Sequence, residues 1–313
     1  MFKSLKNTLI VIVTFNAEKY ISSCISEIVG ISSNADFYIV DNGSTDNTIK
    51  ILNEFCLDNL YLVCSEVNLG FCAANNLGFK FFLENNYEFL ILMNQDVYFN
   101  PKNLFEIFSS NKNIFSTCVL TPLHLDKTRM SFDYNFNKYL NSNLNPNKIY
   151  QYQTNDEKAG VYTYVDFTNA AFWFIPRYIV QKIGGFNPLF FHYGEDVNWS
   201  NRLHYHGYNF VCLLNESLVH DRVKIGNQFL FNEKLLRRAI VLQLTNINKP
   251  FLLSLFLINF NIFKYLLRPR NLTFNLIFIR LIDLYRTYIF IFFNFRKFLY
   301  SRRIEKYQDK CWI

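Results

Sequence analysis

Three places in this chain of 313 residues set carboxylates where they can do chemistry. Asp41 ends the β-branched and aromatic run Tyr38-Ile39-Val40 and is followed by Asn42-Gly43-Ser44. Asp96 ends the apolar run YEFLILMNQD, directly behind Asn94 and Gln95. Glu195 and Asp196 open a short helical pattern inside GGFNPLFFHYGEDVNWSNRLHYHGY, residues 184–208. A carboxylate at the end of a buried strand can read a base or ribose, or hold Mg2+ or Mn2+ against a diphosphate. A carboxylate at a helix N-terminus is favoured in its ionised form, which suits a general base. His220, ending the segment Leu218-Val219-His220, could complete a metal site or be structural. Capping of the helix by Asp196 stays open beside its catalytic reading.

Alternating strands and helices must hold these residues. LIVIVTF at 9–15 reads as a buried strand, and Glu18 to Val29 as a helix with Ile21, Cys24, Ile25 and Ile28 on one face. DFYIVDN at 36–42 is a second strand, and Thr45 to Phe55 a helix capped by Ser44 or Thr45. NLYLVCS at 59–65, a helix from Ala73 to Glu84 and a strand over 87–96 complete the series. This order implies a mostly parallel sheet with right-handed crossovers. Four polar clusters then share its carboxyl edge: Thr14, Asn16 and Glu18; Asp41, Asn42 and Ser44; Asn68 and Gly70 with Asn75, Asn76 and Gly78 behind; and Asn94-Gln95-Asp96. Each alone could be a turn, with Gly43 permitting a tight one. Four on one edge point to a nucleotide crevice. No GxxxxGK[ST] loop occurs and no GxGxxG follows the first strand, so a carboxylate-bound cation is the natural substitute for a P-loop, with Asp96 its best ligand.

Residues 125–160, rich in Asn, Lys and Tyr, read as an excursion or flexible loop beside the site. Strand then helix follow over 161–180, a short helix over 194–207 and a strand from Phe210 to Leu214. The aromatics Phe190, Phe191, Tyr193 and Trp199 flank the acidic pair and offer faces on which a sugar ring stacks. The seven Cys (24, 56, 64, 72, 118, 212 and 311) form no CxxC pair and read as reduced core thiols of a cytosolic protein. The basic start and short apolar run over 1–20 read as a tail entering the first strand, with no cleavage signal.

The net charge of +7 is uneven: residues 249–313 hold 12 Lys/Arg and 3 Asp/Glu, hence +9, and the remaining 248 residues hold 20 and 22, hence −2. That argues against a nucleic-acid partner for the main body and for an anionic surface meeting the C-terminus. From residue 250 the stretches FLLSLFLINFNIFKYLL, LTFNLIFIRLIDLY and TYIFIFFNF are interrupted by polar residues, and none reaches 18 uninterrupted apolar residues. Amphipathic helices lying on a membrane are expected, with Lys264, Arg268, Arg270, Arg280, Arg286, Arg296 and Lys297 facing lipid phosphates. Core or dimer helices, or true insertion, stay open.

In order, IVTFN, VDNGSTD, NLGFCAANNLG, LMNQD, the 184–208 segment and the later VH resemble a family 2 glycosyltransferase of the GT-A fold, in its bacterial rhamnosyltransferase-like branch. The resemblance implies an α/β, Rossmann-like GT-A domain over 1–248, to which 249–313 adds the C-terminal amphipathic helical appendage. It implies inverting transfer from a nucleotide-diphosphate sugar, dTDP-rhamnose or a UDP-hexose, to a growing, lipid-linked surface polysaccharide such as lipopolysaccharide or capsule. On that analogy Thr14, Asn16 and Glu18 line the nucleotide site, and Asp41, with Asn42 and Ser44 beside it, contacts base or ribose. Asn68, Gly70 and Asn76 line the ribose–diphosphate side. Asn94-Gln95-Asp96 takes the DxD position, with Asn94 replacing its first Asp and Asp96 and His220 as ligands of Mg2+ or Mn2+. Glu195-Asp196 matches the ED motif, with Asp196 as base and Glu195 orienting acceptor or sugar. Trp199, Tyr193 and Asn169 fall on the acceptor or sugar side, Asn169-Ala170 standing where relatives often have Gly-Ala. With the basic tail, the implied location is cytoplasmic, peripheral on the inner face of the cytoplasmic membrane. A non-catalytic nucleotide-sugar binder or membrane scaffold remains the alternative. A sugar-phosphate nucleotidylyltransferase would instead need a Gly- and basic-rich loop where TFNAEKY stands.

Overall fold

The computed structural model describes residues 7–29, 35–55, 57–99, 102–143, 149–153, 159–222, 233–267 and 274–313. Short apolar runs form β1 (Thr8–Thr14), β2 (Asp36–Asp41), β3 (Leu60–Cys64) and β4 (Phe89–Asn94), linked by α1 (Ile21–Val29), α2 (Thr48–Glu54) and α3 (Gly70–Glu84). Then come β5 (Val97–Tyr98), α4 (Lys102–Ser110), α5 (Lys112–Phe115), β6 (Cys118–Leu125), α6 (Tyr134–Asn143), β7 (Tyr150–Gln153), β8 (Ala159–Val165), β9 (Phe172–Pro176) and α7 (Arg177–Ile183). The chain continues through α8 (Glu195–Tyr205), β10 (Asn209–His220), α9 (Glu233–Thr245), α10 (Phe251–Leu267) and α11 (Phe274–Tyr307).

The strands lie in the order β3-β2-β1-β4-β9-β6-β10-β8-β7, and β5 pairs with β10. β1 is parallel to β2 and β4, β2 to β3, and β6 to β10, whereas β9 runs antiparallel between β4 and β6. The expected α/β architecture, a mostly parallel sheet flanked by helices, is present. Side chains alternate across it. Leu9 and Val11 join a core layer with Phe79, Trp173 and Trp199, and Ile10 and Ile12 join the opposite layer with Ile21, Ile25 and Phe108. Because both faces of β1 are covered, its sequence is a continuous apolar run.

Three helix starts differ from the sequence expectation. α1 begins at Ile21, α2 at Thr48 and α3 at Gly70. For α2 the cause is side-chain capping from before and beyond the turn. The Asp46 carboxylate accepts the Thr48 N–H at 3.0 Å, and Glu18 accepts the Asn47 N–H at 3.0 Å. Ser44 and Thr45 therefore stay in the turn and cap nothing. The expected excursion over 125–160 instead contains α6, β7 and the start of β8. Asp133 caps α6, its Oδ1 accepting the Asn135 and Phe136 N–H groups at 3.1 and 2.9 Å, and Phe136 and Leu140 enter the core one turn apart. Residues 144–148 and 154–158 of that stretch lie outside the described residues.

Cys24, Cys72, Cys118, Cys212 and Cys311 are buried free thiols, and Cys64 is exposed, contrary to the core reading. From Phe274 onward, LTFNLIFIRLIDLY and TYIFIFFNF belong to one helix, α11, which packs on α9 and α8. Among the described residues no helix is long and apolar enough to cross a membrane. Residues 1–6, Cys56, Arg268 and Arg270 lie outside the described residues, as do the side chains of Lys264 and Arg280.

Candidate active site

The loops after β1 and β2 form one hydrogen-bonded unit. The Thr14 hydroxyl donates to Asp41 Oδ1 at 3.1 Å, and the Ser44 N–H donates to Asp41 Oδ2 at 2.9 Å. Ser44 Oγ accepts the Asn16 N–H at 2.8 Å, and Asn16 Oδ1 accepts the Thr45 N–H at 2.9 Å. Asp41 is fully buried, and both its oxygens accept hydrogen bonds that shape the loop. Asp41 therefore holds the loop in shape beside the edge where a base or ribose would lie. Glu18 is likewise occupied, its Oε2 accepting both the backbone and side-chain N–H of Asn47 at 3.0 Å.

Asn42 and Asn68 interlock the next two loops. Asn42 Nδ2 donates to Asn68 Oδ1 at 3.1 Å, and Asn42 Oδ1 accepts the Leu69 N–H at 2.8 Å. Gly70 follows with φ +84°, and a Cβ there would stand 2.5 Å from the Phe191 carbonyl oxygen. Only glycine lets the segment before Glu195 cross the sheet edge at this point. Asn76 does not line the ribose–diphosphate side. It clamps backbone, donating to Phe186 O at 2.8 Å and accepting the Phe186 N–H at 2.7 Å.

At the end of β4, Asn94 donates its N–H to Ala171 O at 2.9 Å, and Gln95 Oε1 accepts the Phe15 N–H at 2.8 Å. The pairing of β5 with β10 sets His220 opposite Val97 and brings its Nε2 to 3.3 Å from Asp96 Oδ1. Asp133 Oδ2 stands 3.9 Å from the other ring nitrogen. Burial pushes the Asp96 carboxyl up, but His220 and the Arg222 charge outweigh it and hold the group below the usual carboxylate range. His124, whose ring lies 6.2 Å from that of His220, is pushed well below its ordinary value by burial and stays neutral.

Tyr193 (φ +67°) and Gly194 (φ +100°) make a left-handed turn that delivers Glu195 and Asp196 as the first turn of α8. Glu195 is buried and its Oε2 has no hydrogen-bond partner. Asp196 Oδ1 accepts the Val197 N–H at 2.8 Å. Burial pushes both carboxyls up, and the Asp196 charge pushes Glu195 further. The helix N-terminus favours ionisation of this pair, and burial works against it. Arg238 on α9 pulls both down and lies over the Tyr193 ring, its Cζ 5.4 Å from the centroid.

Trp199 is a core residue and offers no face to a sugar. It is fully buried, 4.8 Å from Trp173, and donates Nε1–H to Gly184 O at 2.9 Å. Tyr193 and Phe191 are exposed beside the pair, whereas Phe190 is buried. Asn169 is buried with neither amide atom paired, so its hydrogen-bonding capacity is intact. Arg238, Arg222 and Asp133 are not singled out by sequence reasoning. The two arginines sit in unremarkable charged runs, and Asp133 lies in the weakly periodic stretch.

Asp96 and His220 fit a divalent cation as a carboxylate with an adjacent imidazole. Among the described residues no three His, Cys, Asp or Glu side chains are grouped to hold a metal ion, so substrate phosphates would have to supply further ligands. The arrangement as a whole is a polar sheet edge joined, through Gly70 and Phe191, to a buried acidic pair.

Comparison with known proteins agrees with this geometry. Residues 9–176, more than half of the chain, match the Glycosyl transferase family 2 profile. The low-salt glycan biosynthesis hexosyltransferase Agl10 of Haloferax volcanii is 30% identical over 117 residues, 36% of this chain and 36% of that protein. An uncharacterised protein of Methanocaldococcus jannaschii is 35% identical over 98 residues, 30% of this chain and 42% of that protein. The chain thus spans less than half the length of these curated relatives. The structure of S. aureus TarS 1–349 superposes with a TM-score of 0.56 at 14% identity, over 84% of this chain and 75% of that one. Its complex with UDP gives 0.54 at 15% identity, over the same shares. These likenesses show a shared GT-A fold, and the profile match over the site-bearing strands shows that the chain belongs to glycosyl transferase family 2.

Proposed function

We propose that this chain is an inverting glycosyltransferase. It moves rhamnose or a hexose from a nucleotide-diphosphate donor, dTDP-rhamnose or a UDP-hexose, to a growing surface polysaccharide, as rhamnosyltransferase-like enzymes do. One observation carries the reading: a buried carboxyl pair with raised pKa is packed against a sheet edge built from Thr14, Asn16, Asp41, Ser44, Asn68 and Asn94. The hexosyltransferase among its relatives and the UDP complex of a structural neighbour support it.

The donor lies along the edge loops, with its sugar toward α8. Asp196 takes the proton of the acceptor hydroxyl as that oxygen bonds to the anomeric carbon and the bond to the diphosphate breaks. Glu195, pushed further up by the Asp196 charge, holds its proton longer and orients the acceptor. Tyr193 gives a stacking face, and the Asn169 amide supplies paired donor and acceptor contacts. Asp96 and His220 would hold Mg2+ or Mn2+, which when bound supplies positive charge beside the diphosphate. The acceptor is carried on lipid, and the protein works in the cytoplasm, peripheral to the inner face of the cytoplasmic membrane. The +9 charge of residues 249–313 supports this placement, and the −2 of the rest supports the absence of a nucleic-acid partner.

A thermal-shift panel of nucleotide sugars, with and without Mn2+, tests the donor, because a ligand that binds the native state raises its melting temperature. One nucleotide sugar is expected to stabilise selectively, and nucleotide diphosphate release should follow when acceptor is added. Stabilisation without release for any acceptor would favour a non-catalytic binder.

A further inference from the structure

We propose that α10 and α11 form one continuous docking face for an anionic lipid surface, on which they lie without crossing it. The proposal rests on the membrane placement above and is independent of the transfer chemistry.

Leu252 and Phe256 stand one turn apart on α10 and are 80% and 66% exposed. On α11, Tyr285, Phe292 and Leu299 recur every seven residues along one outward line, and Phe293 stands beside them. Phe292 and Phe293 are 77% and 75% exposed. The opposite sides of the two helices, at Ser254, Ile258, Thr287 and Phe298, are buried. The outward stripes adjoin each other. The Tyr288 hydroxyl donates to Asn259 Oδ1 at 2.6 Å, and the rings of Phe251 and Phe295 are 5.5 Å apart. One exposed phenylalanine is ordinary; a strip of them across two helices marks an interaction surface.

Charge identifies the occupant. Arg296 and Arg303 follow Phe292 on the same side of α11, with Lys297 adjacent, and all three are exposed. Two of the three acids of this region do not offset them: Glu305 is turned inward and buried, and Asp309 pairs with Lys182 at 2.7 Å. Rings and cations sharing one stripe suit the depth of lipid headgroups, where rings enter the acyl boundary and guanidinium groups reach phosphate. A second copy fits worse, because a two-fold contact would set these cations against themselves. The last turns of α11 also carry Ser301 and Glu305, which bond Asn187 and Asn198 beside and within α8. Docking therefore fixes the acidic pair at a set orientation to the bilayer, as a lipid-borne acceptor requires.

The test is flotation of the full chain with phosphatidylcholine vesicles, with and without phosphatidylglycerol. The chain should float with anionic vesicles and far less with neutral ones. Arg296→Gln with Arg303→Gln should weaken anionic binding about tenfold or more. Phe256→Ser with Phe292→Ser and Phe293→Ser should abolish flotation, while the denaturant unfolding midpoint stays unchanged and reports an intact fold. Flotation that survives the serine variant, or absence of flotation by the unaltered chain, overturns the proposal. So does a dimer, seen by light scattering, that the serine variant dissociates. No nucleotide sugar enters the assay, so an inactive chain that floats leaves the docking face standing.

Discussion

The buried Glu305 carboxylate receives the side-chain amide of Asn187 at 2.7 Å, fastening the end of α11 to the segment that leads into α8. Trp312 Nε1–H and Asn198 Nδ2–H also donate to it, at 3.2 and 3.4 Å, and the Arg202 guanidinium lies 3.8 Å away. Glu305→Ala strands that buried guanidinium, a loss of about 3–5 kcal/mol in stability. Denaturant unfolding should show it, with Glu305→Gln less affected. An unchanged midpoint for the alanine variant would mean that the network contributes nothing.

Asp196 holds the position from which a proton can be taken, and its Oδ1 is already steadied by the Val197 N–H. Asp196→Asn keeps the size and that bond but removes the basic oxygen. Transfer should fall about 10²–10⁴-fold, while the donor-induced rise in melting temperature persists. Near wild-type turnover in this variant would remove Asp196 from the role.

The succession of the first four strands and the polar sheet edge were readable because β1, β2 and β4 are mainly apolar runs that end abruptly in Thr14, Asp41 and Asn94. Residue roles within that edge were less readable. Type and spacing put Asp41 and Asn76 at the site, but only packing shows that one is occupied by Thr14 and Ser44 and the other by Phe186 backbone. Trp199 misled for a similar reason: its neighbours in sequence, Tyr193 and Phe191, are exposed, yet helical periodicity turns it inward onto Trp173. Arg238 was invisible, since a cation reaching the acidic pair from a helix over 40 residues downstream leaves no local pattern.

Burial raises both carboxyls of the acidic pair, so the base is generated above the ordinary carboxylate range. The acid limb of kcat/KM should therefore lie above that range, and Arg238→Gln should move it higher still by removing a charge that favours ionisation. Stability runs the other way. The native pair keeps protons that the unfolded chain releases, so its contribution is full below the ordinary carboxylate values and is lost as pH rises through the raised ones. Parallel profiles of activity and unfolding check both signs. An activity profile flat down to the ordinary carboxylate range would refute the base assignment.

Tyr193 and Trp199 lie within one short segment but should behave oppositely when altered. Trp199→Phe removes the hydrogen bond to Gly184 O from a sealed core and opens a small void. It should cost about 1–3 kcal/mol in stability, because the carbonyl is left unpaired, with little change in acceptor KM. Tyr193→Ala removes an exposed ring held under Arg238, so stability should hold while acceptor KM rises and the acid limb shifts. Melting curves and acceptor titrations on both variants separate the two. If Trp199→Phe raised acceptor KM at unchanged stability, its placement in the core would not describe the working enzyme. If Tyr193→Ala left KM untouched, sugar stacking would have to be sought at Phe191.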